Sequence, residues 1–220
     1  MPETIFLSNM QGLNYRNFKI SVAISFAIAV ILFAVSSFMG KNNFFLLLNC
    51  NLGIVTDYFF AAFTNAGDSL MWIVVLILLF YFKRLRLLPL MILSFVFVTL
   101  FTQVCKYFIF PGEPRPWTAI TDHSLIHHVS FIKPWLNASF PSGHTATAFT
   151  FYLLVCLISK KDLWLWLGLV YALLVAYSRI YLAQHFPFDV AGGISAAIAA
   201  VSLSVIIMKW WDERKQVKDL

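Results

Sequence analysis

The chain has 220 residues, of which 60% are hydrophobic and 12% are charged. Soluble domains average about 45–50% apolar and about 25% charged residues, so this composition excludes an ordinary soluble protein and indicates a single membrane domain. The net charge of +6 is small and does not indicate a nucleic-acid partner. The three cysteines lack any CxxC spacing, so neither a disulfide framework nor a thiolate metal site is expected.

Six apolar runs approach the length of about 20 residues that a membrane-spanning helix needs. The predicted spans cover residues 20–39, 66–82, 87–107, 142–159, 163–181 and 190–208. Residues 42–65 mix aromatic side chains with Asn49, Asn51, Gly53 and Asp57, which favours an interfacial or partly buried helix. The fold class predicted is therefore all-α, a polytopic membrane bundle of six transmembrane helices in one domain.

Lysine and arginine are distributed unequally between the two ends of the predicted spans. One side holds Arg16, Lys19, Lys83, Arg84, Arg86, Lys160, Lys161, Lys209, Arg214, Lys215 and Lys218, and the other holds Lys41, Lys106, Arg115, Lys133 and Arg179. The positive-inside rule then places both termini in the cytoplasm. The end of span three, the start of span four and the loop between spans five and six consequently share the non-cytoplasmic face.

The tetrapeptide Pro141-Ser142-Gly143-His144 stands at the start of the fourth span. Ser142 is a good helix cap, and the free N–H groups and dipole at a helix start favour an anion. Gly143 allows the backbone to come close to such a ligand. We therefore expect an anion site at this helix start, with His144 beside it.

A second polar block, SRIYLAQHFPFD, covers residues 178–189 between the fifth and sixth spans. Polar groups are costly in a membrane and usually functional there. Arg179 suits phosphate oxygens, and His185 can attack phosphorus or transfer a proton. Asp189 follows four residues later and can orient the imidazole. The block predicts a nucleophile with its own orienting carboxylate.

The polar groups of the outer face together suit phosphoryl transfer. Arg115 and Arg179 are forked donors that match phosphate oxygens, and Lys106 adds a point charge. The two histidines can divide the work, since one attacks phosphorus and the other protonates the leaving oxygen. We expect neither a metal nor another cofactor, because cations and a helix start can stabilise the transferring phosphoryl group.

These motifs resemble those of the type 2 phosphatidic acid phosphatases, or lipid phosphate phosphatases, of the bacterial membrane-bound type. That family has the pattern K-x6-RP, then PSGH, then SR-x5-H-x3-D, and the last two blocks stand here at the same spacing. The resemblance implies that His185 forms a phosphohistidine, that Asp189 orients it, and that His144 is general acid and later base. The phosphate ligands it implies are Lys106, Arg115, Ser142, Gly143, Ser178 and Arg179.

The first block departs from the family pattern. Arg115-Pro116 is present, but eight residues instead of six separate Arg115 from Lys106, the nearest upstream lysine. Two extra loop residues that bulge outward would restore the geometry. Glu113 adds a negative charge near the anion site, and the sequence offers no reason for it.

Arg179 and Asp189 also have structural interpretations when each is taken alone. Arg179 could be an interfacial cation whose stem lies along the apolar surface, and Asp189 could cap the sixth span. Their joint occurrence with the PSGH block favours the catalytic interpretation.

Other polar residues of the outer face favour structural roles. The spacing of His123 and His127 could place both on one helical face as metal ligands, but loop histidines are usually solvated. Asp57 and Asp68 are expected to cap helices or to pack between spans.

The function predicted is removal of a terminal phosphate from a lipid phosphate or diphosphate at the non-cytoplasmic face. In a bacterium the enzyme would lie in the inner membrane with its site facing outward, and its partners would be the lipid substrate and membrane lipids. Candidate substrates are undecaprenyl diphosphate, phosphatidylglycerophosphate, phosphatidic acid and the lipid A phosphates. Two alternatives remain: transfer of the phosphoryl group between lipids, and a transporter or binding protein for anionic lipids without turnover. The phosphatase family shares a core with the vanadium haloperoxidases, but that function is disfavoured because those relatives are soluble and this chain is not.

Overall fold

A computed structural model describes residue 10 and residues 12–218 of the chain. The described part is helical and contains no strand, so the prediction of an all-α fold is confirmed. The helices are α1 (Tyr15–Met39), α2 (Lys41–Leu48), α3 (Ile54–Phe63), α4 (Met71–Tyr81), α5 (Leu88–Val104), α6 (Pro116–Ala119), α7 (Gly143–Ile158), α8 (Leu163–Tyr181) and α9 (Pro187–Lys218).

Helices α7 and α9 form the centre of the bundle. Helix α7 packs against α1, α8 and α9, and α9 packs against α1, α5 and α7. Phe149, Tyr152 and Leu153 of α7 are fully buried, as are Ile194 and Val201 of α9. The outward faces of α1, α4 and α8 expose large apolar side chains, which suits contact with lipid.

Within the described residues, four continuous helical segments are long and apolar enough to cross a membrane, and they match the predicted spans one, three, five and six. These segments are Tyr15–Met39, Leu85–Ile109, Leu163–Tyr181 and Pro187–Arg214. The predicted span four is the shorter apolar helix α7. The predicted span two falls in a bent pair, Ile54–Gly67 and Met71–Tyr81, whose parts meet at 62°. The count of six spans and the cytoplasmic termini therefore stay predictions.

Asn49 explains why residues 42–65 form two helices instead of the one that was expected. It lies in the break between α2 and α3, and its amide donates to the carbonyl oxygens of Ile180 and Tyr181 at 3.0 and 2.9 Å. These carbonyls lie at the end of α8, where the last carbonyls lack i+4 donors in the helix, and that of Ile180 also accepts the N–H of Ala183 at 3.0 Å. The break thus ties α2 and α3 to the end of α8 that carries the second polar block.

Gly192 and Gly193 bring the start of α9 against the turn before α7. A Cβ atom on Gly193 would lie 2.5 Å from the carbonyl oxygen of Ser142, and one on Gly192 would lie 2.3 Å from the ring of Phe140. Only glycine permits this approach. The backbone N–H of Ser142 also donates to the carbonyl of Asp189 at 3.0 Å. The two predicted motif blocks consequently meet at one end of the bundle.

Candidate active site

The turn after α8 sets the position of His185. The backbone N–H groups of Gln184 and His185 both donate to the carbonyl of Arg179, at 2.9 and 3.1 Å. Ala183 has a left-handed backbone with φ of 53°, which reverses the chain just before them. The turn folds His185 back onto the helix end, and its side chain is only 2% exposed.

Asp189 lies beside the imidazole of His185 and is itself buried. Its Oδ2 atom is 3.4 Å from Nδ1 of His185. The same oxygen accepts the backbone N–H of Phe186 at 2.9 Å, the contact that a carboxylate in a first helical turn makes with the residue before the helix. It also accepts a short hydrogen bond from the hydroxyl of Ser139. Asp189 is therefore held by its own helix and by the loop before α7.

Arg115 lies against the other ring nitrogen of His185. Its Nη1 atom is 3.3 Å from Nε2 of His185 and donates to the carbonyl of Gln184 at 2.9 Å. A guanidinium only donates, so the contact requires the lone pair on Nε2 and the proton on Nδ1. The tautomer that Arg115 selects is the one with its N–H toward Asp189.

Electrostatics keep His185 neutral in this position. Burial lowers the pKa of His185 well below its ordinary value near 6.5, and the charges of Arg115, Arg179 and Lys106 act in the same direction. A neutral imidazole is the nucleophilic form, because only it has a free lone pair.

Lys106 meets Arg115 despite the longer spacing between them. Lys106 Nζ donates to the carbonyl of Ala138 at 2.8 Å, and Arg115 Nη2 donates to the same oxygen at 3.3 Å. A π-helical turn over Cys105–Ile109 and a left-handed Gly112 take up the intervening residues. Both cations thus lie within reach of one oxygen.

Glu113 has a partner that the sequence does not reveal. Its carboxylate forms an ion pair with the ammonium of Lys41 at the start of α2. Its backbone carbonyl accepts the N–H of Ser139 at 3.0 Å. Glu113 therefore joins the loop before α6 to α2, and its charge is paired.

Arg179 is buried, and it forms a hydrogen bond with a residue that the sequence analysis did not single out. Its Nη1 atom donates to the hydroxyl of Thr64 at 2.7 Å. Its Nε atom has no hydrogen-bond partner among the described residues. A buried guanidinium with an unused donor can bind an anion.

Ser142, Gly143 and His144 begin α7 as expected. The hydroxyl of Ser142 accepts the N–H of Thr145 at 3.4 Å and its hydroxyl at 2.9 Å. The N–H groups of Gly143 and His144 have no partner within the helix at this end. The imidazole of His144 is part-exposed, and its Nε2 atom lies 3.7 Å from Oδ2 of Asp68.

A cavity of about 340 Å³ opens beside His144. Its lining includes Asp68 and Gly143, and the α5 residues Phe95, Val98 and Thr102. The cavity therefore continues from the polar site along a mixed face of α5, where Thr99, Thr102 and Gln103 lie beside the apolar Phe95 and Val98.

Most of the predicted site residues meet at this end of the bundle. Ser178 is placed differently, because its buried hydroxyl donates to the carbonyl of Val175 at 2.6 Å within α8. Its part in phosphate binding stays a prediction.

Three further contacts escaped the sequence analysis as site contacts. They involve Thr64, Asp68 and Ser139. Their only sequence signals are the polar stretch TNAGDS, which interrupts two apolar runs, and, separately, the serine just before PSGH. Asp68 was expected to be structural, and it does accept the N–H of Leu70 at 2.8 Å as a turn cap.

His127 has partners within the protein instead of being solvated as expected, whereas His123 is exposed. His127 Nε2 lies 2.9 Å from Oδ1 of Asp57, which also accepts the hydroxyl of Tyr181 at 2.6 Å. His123 stacks on Trp117 and contacts the carbonyl of that residue at 3.0 Å. The two histidines have separate partners, and the described residues contain no group of three side chains that could hold a metal.

Comparison with known families and proteins supports a phosphatase site. The family model described as PAP2 superfamily matches residues 86–214, which include the three motif blocks. The undecaprenyl-diphosphatase of Sulfolobus acidocaldarius is 33% identical over 150 residues, which cover 68% of this chain and 69% of that protein.

Two solved structures share the fold. LpxE of Aquifex aeolicus aligns with a TM-score of 0.63 and 31% identity, over 73% of this chain and 92% of that chain. A transmembrane PAP2 type phosphatidylglycerolphosphate phosphatase of Bacillus subtilis aligns with a TM-score of 0.58 and 24% identity, over 88% of this chain and 96% of that chain. The second similarity concerns the fold alone.

Proposed function

This chain belongs to the PAP2 superfamily, and we propose that it removes the terminal phosphate of a membrane lipid through a phosphohistidine on His185. Its class is a membrane lipid phosphate hydrolase, in keeping with its family and its named phosphatase relatives. The observation that carries the mechanism is that the imidazole of His185 lies between Arg115, 3.3 Å from Nε2, and Asp189, 3.4 Å from Nδ1 in a contact that is not a hydrogen bond.

The first step is attack on phosphorus by Nε2 of His185. Because Arg115 donates toward Nε2, this nitrogen keeps its lone pair. Asp189 faces the N–H at Nδ1 and stabilises the positive charge that the ring acquires. The Nε2–P bond forms as the bond from phosphorus to the leaving oxygen breaks. His144 gives its proton to that oxygen, so the lipid leaves as a neutral hydroxyl or a protonated phosphate.

The second step returns the enzyme to its starting state. Water attacks the phosphohistidine, its proton goes to His144, and the Nε2–P bond breaks with its electron pair returning to His185. Lys106, Arg115, Arg179 and the helix start at Ser142-Gly143 bind the phosphoryl oxygens through both steps.

Undecaprenyl diphosphate is the first substrate to test. The relative from Sulfolobus acidocaldarius carries that activity in its name. The cavity beside His144 supports a leaving group that has both polar and apolar parts, because its α5 lining contains Phe95 and Val98 as well as Thr99 and Thr102. Phosphatidylglycerophosphate, phosphatidic acid and lipid A phosphates form the comparison set.

The test is release of inorganic phosphate from this panel in detergent micelles, with a chelator present. We expect release by the wild type and none by His185→Ala, while His123→Ala in the outer loop retains the wild-type rate. Rapid quenching with labelled substrate should show an acid-labile, base-stable label on the wild type alone. Equal release by wild type and His185→Ala would refute the mechanism.

The site would face away from the cytoplasm. It lies at the opposite end of the bundle from Arg84, Arg86, Lys160 and Lys161, and the positive-inside rule keeps such cations inside. In a variant without native cysteines, a membrane-impermeant maleimide on intact cells should label Ser130→Cys and leave Lys161→Cys unlabelled. The reverse pattern would contradict this orientation.

A further inference from the structure

Asp68 faces the proton donor from outside the region that the family model matches. Its Oδ2 atom lies 3.7 Å from Nε2 of His144. Its other oxygen, Oδ1, accepts the N–H of Leu70 at 2.8 Å and the hydroxyl of Ser69 at 3.4 Å. The turn thus fixes one carboxylate oxygen and leaves the other toward the imidazole.

The segment before Asp68 is packed tightly onto the site. A Cβ atom on Gly67 would lie 2.4 Å from Val175 Cγ1 and 2.9 Å from the carbonyl oxygen of His144. Three residues earlier, Thr64 accepts the hydrogen bond from Arg179. The 3₁₀ segment Thr64–Gly67 therefore contacts both motif blocks, and Asp68 has little freedom to move from His144.

Burial opposes the protonation of His144, and so do all but one of the charges that act on it. The described charged groups that act on it are the cations Arg179, Arg115 and Lys106, and the carboxylate of Asp68. Cations disfavour an imidazolium, whereas a carboxylate at this distance favours it. A general acid must carry its proton when substrate arrives, so the one opposing charge bears on the chemistry.

We propose that Asp68 is a positioning residue that favours the protonated form of His144 and holds its Nε2 atom toward the leaving oxygen. This proposal rests on the proposed function and adds to it a carboxylate for the second histidine. At 3.7 Å the contact is ionic and too long for a hydrogen bond, so the Nε2 proton is free to pass to the leaving oxygen. Asp68 itself takes no proton in either step.

The leaving group separates this role from a structural one. An alkyl phosphate releases a strongly basic alkoxide and depends on general acid, whereas a nitrophenyl phosphate releases a weakly basic oxygen and does not. For Asp68→Asn we expect kcat on phosphatidic acid to fall by about 10–100-fold with KM nearly unchanged. On nitrophenyl phosphate kcat should fall by less than about threefold.

The pH profile is a second readout. Without the carboxylate, His144 loses its proton more easily, so the basic limb of kcat on phosphatidic acid should move to lower pH in Asp68→Asn. Asp68→Glu, which retains the charge, should restore the wild-type limb. The proposal would be overturned if Asp68→Asn lowered kcat equally on phosphatidic acid and nitrophenyl phosphate without moving the basic limb of the pH profile. Wild-type kcat on both substrates would overturn it as well.

Asp57→Asn is the matched control, because Asp57 also pairs with a histidine, His127, but does not line the cavity beside His144. This substitution should change kcat on phosphatidic acid and kcat on nitrophenyl phosphate by the same factor. If Asp68→Asn does not purify folded, Asp68→Ser supplies the same comparison, since a serine can still accept the N–H of Leu70. Failure of the proposed function itself would appear separately, as no phosphate release by the wild type or full activity of His185→Ala.

Discussion

The guanidinium of Arg115 lies 3.3 Å from Nε2 of His185, the nitrogen assigned to the attack on phosphorus. The arginine therefore lies on the approach to the nucleophile. Phosphoryl oxygens compete for the same N–H groups, and a charged acceptor binds them more strongly than a neutral imidazole does. Binding of the substrate phosphate would thus move the Arg115 guanidinium away from Nε2 of His185 and free the lone pair of that nitrogen for the attack.

Arg115→Lys should abolish most of the activity although it preserves the charge. Arg115 donates at once to the carbonyls of Asn137, Ala138 and Gln184, and a single ammonium cannot reproduce that fork. We expect kcat/KM for phosphate release to fall by about 100-fold or more. Arg86→Lys, at the opposite end of the bundle, should have little effect. A rate for Arg115→Lys within threefold of wild type would contradict the assigned role.

Stability should depend on pH through His185. The pKa of His185 is lowered in the folded protein by burial and by nearby cations, while in the unfolded chain it is near 6.5. The unfolded state therefore binds the extra proton, and the free energy of unfolding decreases as pH falls below about 6.5.

His185→Asn removes this contribution. The decrease in melting temperature between about pH 7.5 and about pH 5.5 should accordingly be smaller in this variant than in the wild type, measured by thermal unfolding in detergent. His123→Asn, in the exposed loop, should retain the wild-type decrease. An identical decrease in all three proteins would show that His185 is not held neutral by the fold.

Gly193→Ala should destabilise the protein, whereas Gly143→Ala should not. An added methyl group on Gly193 lies 2.5 Å from the carbonyl oxygen of Ser142, and one on Gly143 has no atom within 4 Å. Forced overlap in a packed core costs about 1–3 kcal/mol. Thermal unfolding of both variants in detergent checks the difference, and equal melting temperatures would argue against close packing of α9 on the turn before α7.

Ser139→Ala should lower turnover without removing the substrate site. The serine hydroxyl is one of two described hydrogen-bond donors to Oδ2 of Asp189, and the backbone N–H of Phe186 is the other. Hydrogen bonds to charged groups contribute about 1.5–3 kcal/mol, so kcat should fall by about tenfold or more with KM little changed. Ser130→Ala in the exposed outer loop is the control. An unchanged kcat would mean that Phe186 alone orients the carboxylate.

Local spacing was sufficient to predict several parts of the candidate site. Arg179, His185 and Asp189 lie within eleven consecutive residues, and one turn between two helices brings them together. Contacts across the bundle were not predictable in the same way. Thr64 and Arg179 are 115 positions apart and pair only because the 3₁₀ segment after α3 packs on α8.

The bent segment after α3 was the main difference in the fold. The sequence analysis predicted a span over residues 66–82, but the polar stretch TNAGDS contacts the site and turns the chain by 62° before α4. Hydropathy averages over a window and does not reveal a bend whose polar groups find partners on other helices.

The sequence by itself determined the membrane class, the all-α fold and the motif residues, because hydrophobic length and short-range spacing are local properties. Only the tertiary structure decided that Arg115 meets His185, that Ser139 meets Asp189 and that Asp68 faces His144. Those contacts depend on how closely helices approach, and Gly67 and Gly193 permit that approach at two points. In a membrane bundle a buried polar group needs a partner, and which one it finds is set by packing between distant segments.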